Sequence, residues 1–164
     1  MKKIEICKKI KNFTVDSTNK DDFNLEHYLG SNIVLFFYPK DNTPVCTQEG
    51  IDFSENLRKF KNLNTFVFGI SRDSLKSHNN FKDKFKYKFD LISDVDQNIC
   101  NLFNVIKEKN MYGKKYMGIE RSTFIINKKG ILIKEWRKVK VNGHAEEVLN
   151  YIKELNKSEL QLFA

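Results

Sequence analysis

The stretch Val34-Leu35-Phe36-Phe37-Tyr38-Pro39-Lys40-Asp41-Asn42-Thr43-Pro44-Val45-Cys46-Thr47-Gln48-Glu49 runs an apolar segment into a turn marked by two prolines and sets one thiol just beyond it. Ile33 to Tyr38 is continuously apolar, β-branched and aromatic, the pattern of a strand buried on both faces. Thr43 then suits a helix N-cap. Pro44 suits the first helical position, where its missing N–H is harmless. Cys46 becomes the third helical residue, close to unpaired amides and to the positive end of the helix dipole. Phe53, Leu57 and Phe60 follow at i, i+4 and i+7, which gives the helix a buried face and carries it to about Asn62.

That position matters because the thiolate is the reactive form of cysteine. A free thiol with pKa about 8.5 is only ~3 % ionised at pH 7, and helix N-termini lower such a pKa by several units. A lone cysteine in an arbitrary setting reads as a buried packing residue. The strand–turn–helix setting favours a reactive one.

Outward from this segment, strands and helices alternate. Phe13 to Val15 reads as a short first strand, Leu25 to Leu29 as a short helix or turn, and Thr65 to Ile70 as a second buried strand. Ser74 caps a helix reaching about Phe85. Phe89 to Ile92 is a short strand, and Ser93 to Asp96 turns into a short helix holding Cys100. Lys107 to Gly118 reads as a long polar loop. Ser122–Asn127 and Ile131–Trp136 form a hairpin around Asn127-Lys128-Lys129-Gly130, and a last helix starts near Asn142-Gly143-His144 with Val148, Ile152 and Leu155 facing inward. The pattern is α/β: a central mixed β-sheet flanked by helices.

Composition narrows the function. A chain of 164 residues with 14 Phe is long enough to bury a real core, and we expect one domain over residues 1–164 with its core at about 12–155. No apolar run approaches the ~20 residues of a membrane span. The N-terminus, Met1 to Lys9, is charged and lacks the apolar region of a signal peptide, so a cytoplasmic protein is expected. Three widely spaced cysteines form neither a secreted disulfide framework nor a zinc-spaced cluster, so no metal is expected. The net charge of +8 comes from lysines scattered along the chain, densest over Lys128 to Lys140, and reads as a solvated basic surface with no nucleic-acid partner.

Pro39-xxx-Thr43-xx-Cys46 resembles the active-site signature of peroxiredoxins. Phe37 to Pro44 resembles in particular the bacterioferritin-comigratory, or PrxQ-type, branch of that family. Tyr116 to Phe124 is similar to the branch's arginine strand, and Trp136 to Ala145 to its final strand and helix cap, so the likeness runs from about residue 12 to 155. The resemblance implies a thioredoxin-like fold and a thiol-dependent peroxidase that reduces hydrogen peroxide and organic hydroperoxides, without metal, haem or flavin. It makes Cys46 the peroxidatic cysteine, with Pro39 shielding the site, Thr43 hydrogen-bonding sulfur and peroxide, and Arg121 completing the pocket. A redox sensor or binding module signalling through Cys46 oxidation is the competing reading, and it would not require the full Pro39, Thr43 and Arg121 set.

The chemistry agrees with the resemblance. Lowering a thiol pKa from 8.5 to about 6 raises the thiolate at pH 7 only ~30-fold, and nucleophilicity falls with basicity. The larger effect must come from donors at the leaving oxygen, each worth ~10²–10³-fold in oxyanion-hole chemistry. Candidates are the amides of Val45 and Cys46 and the Arg121 guanidinium. Arg121 could equally be a surface charge pairing with Glu49. Glu49 could orient Arg121 at the substrate site or simply suit the helix N-terminus.

Two positions depart from the family pattern. Relatives often carry a resolving cysteine five residues after the peroxidatic one, where this chain has Ile51, or in the next helix, where Lys76 to Phe85 has none. Cys100 is left as a packing residue or a resolving one, and Cys7, on a terminus expected to be flexible, as a second thiol that could resolve Cys46 or stay free. One-cysteine turnover is expected, with thioredoxin, glutaredoxin or glutathione as reductant and a monomer or weak dimer as the assembly.

Overall fold

The computed structural model describes residues 3–162. Met1, Lys2, Phe163 and Ala164, the ends of the two tails and of the 1–164 domain expectation, lie outside them. In chain order the elements are β1 (Thr14–Val15), β2 (Phe23–Asn24), a single 3-10 turn (Leu25–Tyr28), β3 (Asn32–Phe37), α1 (Pro44–Glu55), α2 (Leu57–Asn62), β4 (Thr65–Ser71), α3 (Leu75–Phe85), β5 (Asp90–Ser93), α4 (Asn98–Leu102), β6 (Ile106–Met111), β7 (Lys114–Ile119), β8 (Ser122–Ile126), β9 (Leu132–Trp136) and α5 (His144–Leu162). Five strands make the central sheet in the order β5-β4-β3-β8-β9. β3, β4 and β5 are parallel, β8 runs antiparallel to β3, and β9 antiparallel to β8.

Every residue of β3 is buried, and its alternating side chains feed two cores. Val34 and Phe36, with Tyr38 beyond the strand end, join Phe53, Phe60, Phe81 and the α5 residues Val148 and Ile152 on one face. Ile33, Leu35 and Phe37 join Ile10, Phe23, Cys100, Phe103 and Ile119 on the other. At ~1.5–3 kcal/mol per fully buried large apolar side chain, both faces are heavily committed and the sheet is a fixed partition between them. Because β8 runs antiparallel to β3 with Phe37 opposite Ser122, Arg121 lands beside the end of β3, where the chain turns toward Cys46.

Three regions differ from the sequence expectation. The helix read through to Asn62 breaks at Asn56, whose side-chain amide donates to the Asp52 carbonyl at 2.8 Å and competes with the backbone ladder. Phe53, Leu57 and Phe60 nevertheless bury together. The polar stretch Lys107–Gly118 is a hairpin, β6–β7, reversed at Tyr112 and Gly113, both at positive φ (52° and 80°) as a two-residue primed turn needs. Both its faces are largely exposed, so no apolar alternation advertised it. The segment around Cys7 is not flexible: the Cys7 amide donates to Leu132 O at 2.8 Å, and the Ile4 and Ile10 amides to Leu102 O and Gly130 O.

Candidate active site

α1 begins at Pro44 behind Thr43, as the sequence predicts, and Cys46 sits in its first turn at 2 % exposure. The first bond of the helical ladder runs from Thr47 N to Thr43 O at 2.9 Å, so the amides of Val45 and Cys46 precede the ladder. Val45 itself is 53 % exposed at the rim, and Pro39 is half-buried between the strand end and the turn.

Arg121 joins the pieces. Its Nη2 lies 3.2 Å from Cys46 Sγ and its Nη1 2.6 Å from Glu49 Oε1, one helical turn beyond the cysteine. The two alternatives for Arg121 are thus one arrangement: it pairs with Glu49 and reaches the sulfur. Burial disfavours the charge on Arg121, but Glu49 and Cys46 outweigh that and hold it more firmly protonated than a free arginine. Glu49, 1 % exposed, is pushed up to about 7 by burial against the pull of Arg121, and its Oε2 has no hydrogen-bond partner among the described residues. Lys109 on β6 adds another cation nearby. Burial and then Arg121 lower its proton affinity, while Cys46 raises it.

Thr43 differs from expectation. It occupies the N-cap by backbone, at φ −89° and ψ 149°, but makes no side-chain cap. Its hydroxyl donates to Lys40 O at 2.8 Å, closing the Lys40–Thr43 turn in place of capping α1. The proton is therefore engaged, and Oγ1 remains as an acceptor.

Cys100 is not brought to Cys46. It is fully buried in the core on the opposite face of the sheet, with its amide donating to Asp94 Oδ2 at 2.7 Å. Burial and then Asp94 push its thiol well above the ordinary cysteine range. A disulfide needs Cα atoms within about 7 Å, and the two thiols are packed in different cores. Cys7 is exposed and fixed along the Leu132 backbone.

Two histidines are tied into the buried polar network. His144 is buried, its Nε2 2.8 Å from Thr123 Oγ1 and its Nδ1 3.1 Å from Glu147 Oε1. His78 is fully buried, its Nδ1 2.8 Å from Asp41 Oδ2 and its Nε2 2.9 Å from Ile92 O. Asp41 lies 37 residues before His78, too far apart for spacing to reveal the pair. Asp41, Asp73 and His78 place three ligand-type atoms within 4.8 Å. Protein donors already fill that space, and a cation would have to displace them.

Comparison with known proteins agrees with this geometry. The AhpC/TSA family model matches residues 6–135. Peroxiredoxin Bcp of Xanthomonas campestris is 51 % identical over 129 residues, covering 79 % of this chain and 81 % of the relative. Peroxiredoxin Bcp of Bacillus subtilis is 44 % identical over 153 residues, covering 93 % and 98 %. The solved bacterioferritin comigratory protein of X. campestris, studied for its alkyl peroxide reduction, superposes with a TM-score of 0.84 at 45 % identity, over 88 % of this chain and 92 % of that one. The chain belongs to the AhpC/TSA family and is a thiol-dependent peroxidase with the thioredoxin-like fold of the peroxiredoxins. Within that class it falls in the bacterioferritin-comigratory, PrxQ branch.

Proposed function

We propose that Cys46 is the peroxidatic cysteine of a one-cysteine cycle. The Cys46 thiolate attacks a hydroperoxide oxygen, an S–O bond forms as the O–O bond breaks, and the electron pair leaves on the alkoxide or hydroxide. The sulfenic acid keeps the hydroperoxide proton, and the leaving oxygen takes one from solvent. An external thiol then displaces water from the sulfenic acid to give a mixed disulfide, and a second thiol releases Cys46.

The observation that carries this reading is the Arg121 guanidinium 3.2 Å from Cys46 Sγ, locked by Glu49. A cation fixed there stays beside the negative charge as it moves from sulfur onto the leaving oxygen. Thr43 Oγ1 is supplied as an acceptor for the hydroperoxide O–H, Pro39 shields the turn, and Val45 contributes its amide and an apolar rim. Glu49 serves the substrate site through Arg121. Cys100 is a packing residue in this scheme.

For reductant we keep thioredoxin, glutaredoxin or glutathione, and for assembly a monomer or weak dimer. The chain works as one domain, supported by two cores that share one sheet. A reducing cytoplasm suits three free cysteines. No helix among the described residues is long and apolar enough to cross a membrane. Rapid-mixing measurement of peroxide consumption tests the reading: Cys46→Ser should abolish it, and retained consumption would move the chemistry elsewhere.

A further inference from the structure

We propose that Asp41 and His78 form a positioning clasp that fixes the Lys40–Thr43 turn over Cys46; the inference rests on the peroxidatic role of Cys46. Asp41, 5 % exposed, sits inside the turn between Pro39 and Thr43 and is fastened from three directions. Its Oδ1 accepts from Tyr38 Oη at 2.7 Å at the end of β3. Its Oδ2 meets both Ser77 Oγ and His78 Nδ1 on α3, each at 2.8 Å. Its amide donates to Asp73 Oδ2 at 3.0 Å, in the turn after β4.

His78 is anchored in turn. The Ile92 carbonyl can only accept, so Nε2 carries a hydrogen toward it, and one further proton lies in the contact between Nδ1 and Asp41 Oδ2. The clasp thus ties the turn to β3, α3 and β5 together. Asn42, the next residue, adopts φ +61°, the left-handed conformation that asparagine accepts more readily than other residues bearing a Cβ. With that turn fixed, Thr43 Oγ1 and Pro39 keep a constant position relative to β3 and to the start of α1. A shift of 1 Å in such a group can cost ~10²-fold in rate. The clasp makes no bond to Arg121 or to Cys46 and reaches α1 only through Thr43, so it acts first on the peroxide and less on the sulfur.

That separation defines the experiment. The rate of hydrogen peroxide reduction and the rate of Cys46 alkylation by iodoacetamide are compared in Asp41→Ala, His78→Leu, Asp41→Asn and Cys46→Ser, each checked for folding by circular dichroism. Alkylation needs the thiolate but no oriented acceptor. Asp41→Asn can keep every fastening by donating from its amide nitrogen to a neutral His78 and to Ser77 Oγ, while its oxygen accepts from Tyr38, and so serves as the conservative rescue. Expected are peroxide rates down about tenfold or more in Asp41→Ala and His78→Leu, alkylation within about twofold of the parent protein, and a near-parental peroxide rate in Asp41→Asn. If stripping the buried network unfolds the first two, Ser77→Ala and Tyr38→Phe remove single fastenings and should each slow the peroxide step alone. Peroxide rates within threefold of the parent in the folded variants would overturn the clasp. So would alkylation changing in step with peroxide reduction. Peroxide reduction retained by Cys46→Ser would instead overturn the assignment of Cys46.

Discussion

At the scale of single residues, the sulfur, the guanidinium and the carboxylate form one chain of charge. Removing Arg121 deletes the donor at Sγ and strands Glu49 in a buried site, so Arg121→Ala should slow the peroxide step ~10²–10³-fold while the protein stays folded. A change under threefold in rapid mixing would return Arg121 to a structural role. Glu49 also makes stability depend on pH. The folded protein holds its proton up to about pH 7, whereas the unfolded chain releases it near 4.5. The contribution is therefore fully present below pH 4.5 and is lost as pH rises toward 7, by up to ~3 kcal/mol. His144, whose proton affinity is lowered by burial, acts in the opposite sense and is common to parent and variant. The difference in urea midpoint between the parent and Glu49→Gln, followed from pH 4.5 to 8, isolates Glu49. We expect the parent to lose ground relative to Glu49→Gln across that window, and parallel curves would contradict it.

At the scale of elements, what could be read in advance depended on whether an element had one face to bury. β3, apolar at every position after Asn32, and α1, with Thr43-Pro44 at its start, announce themselves by local chemistry. Cys46 stands out by its strand–turn–helix setting, whereas the expected parts of Thr43 and Pro39 in the site came from the likeness to a family motif. Arg121 was found through its likeness to a family motif, since the β3–β8 register that delivers it is not a local property. The β6–β7 hairpin was read as a loop because it buries little, and its signal was the Tyr112-Gly113 turn alone. Asp41 and His78 escaped because a buried polar pair gains its meaning only when two distant segments pack. Packing also explains Gly50 on α1. A methyl group there would collide with the Tyr87 ring, whose hydroxyl donates to Thr47 O at 3.0 Å beside the cysteine. Gly50→Ala should therefore cost ~1–3 kcal/mol by thermal or urea unfolding, although alanine is the better helix former. An unchanged or raised midpoint would show that Tyr87 moves aside freely.

At the scale of the whole molecule, the sheet separates two of the three cysteines. Cys46 belongs to the core under α1 and α5, and Cys100 to the core on the other face. That separation favours the proposed one-cysteine cycle over a Cys46–Cys100 disulfide. Cys100→Ser should leave both the single turnover and recycling by added thiol intact, read as peroxide consumed per cycle. The most direct test of the account is mass mapping of all three cysteines after one equivalent of hydrogen peroxide with a sulfenic-acid trap present. The account predicts the trapped adduct on Cys46 alone, with Cys7 and Cys100 recovered as free thiols. A Cys46–Cys100 or Cys46–Cys7 disulfide, or an adduct elsewhere with Cys46 untouched, would contradict it.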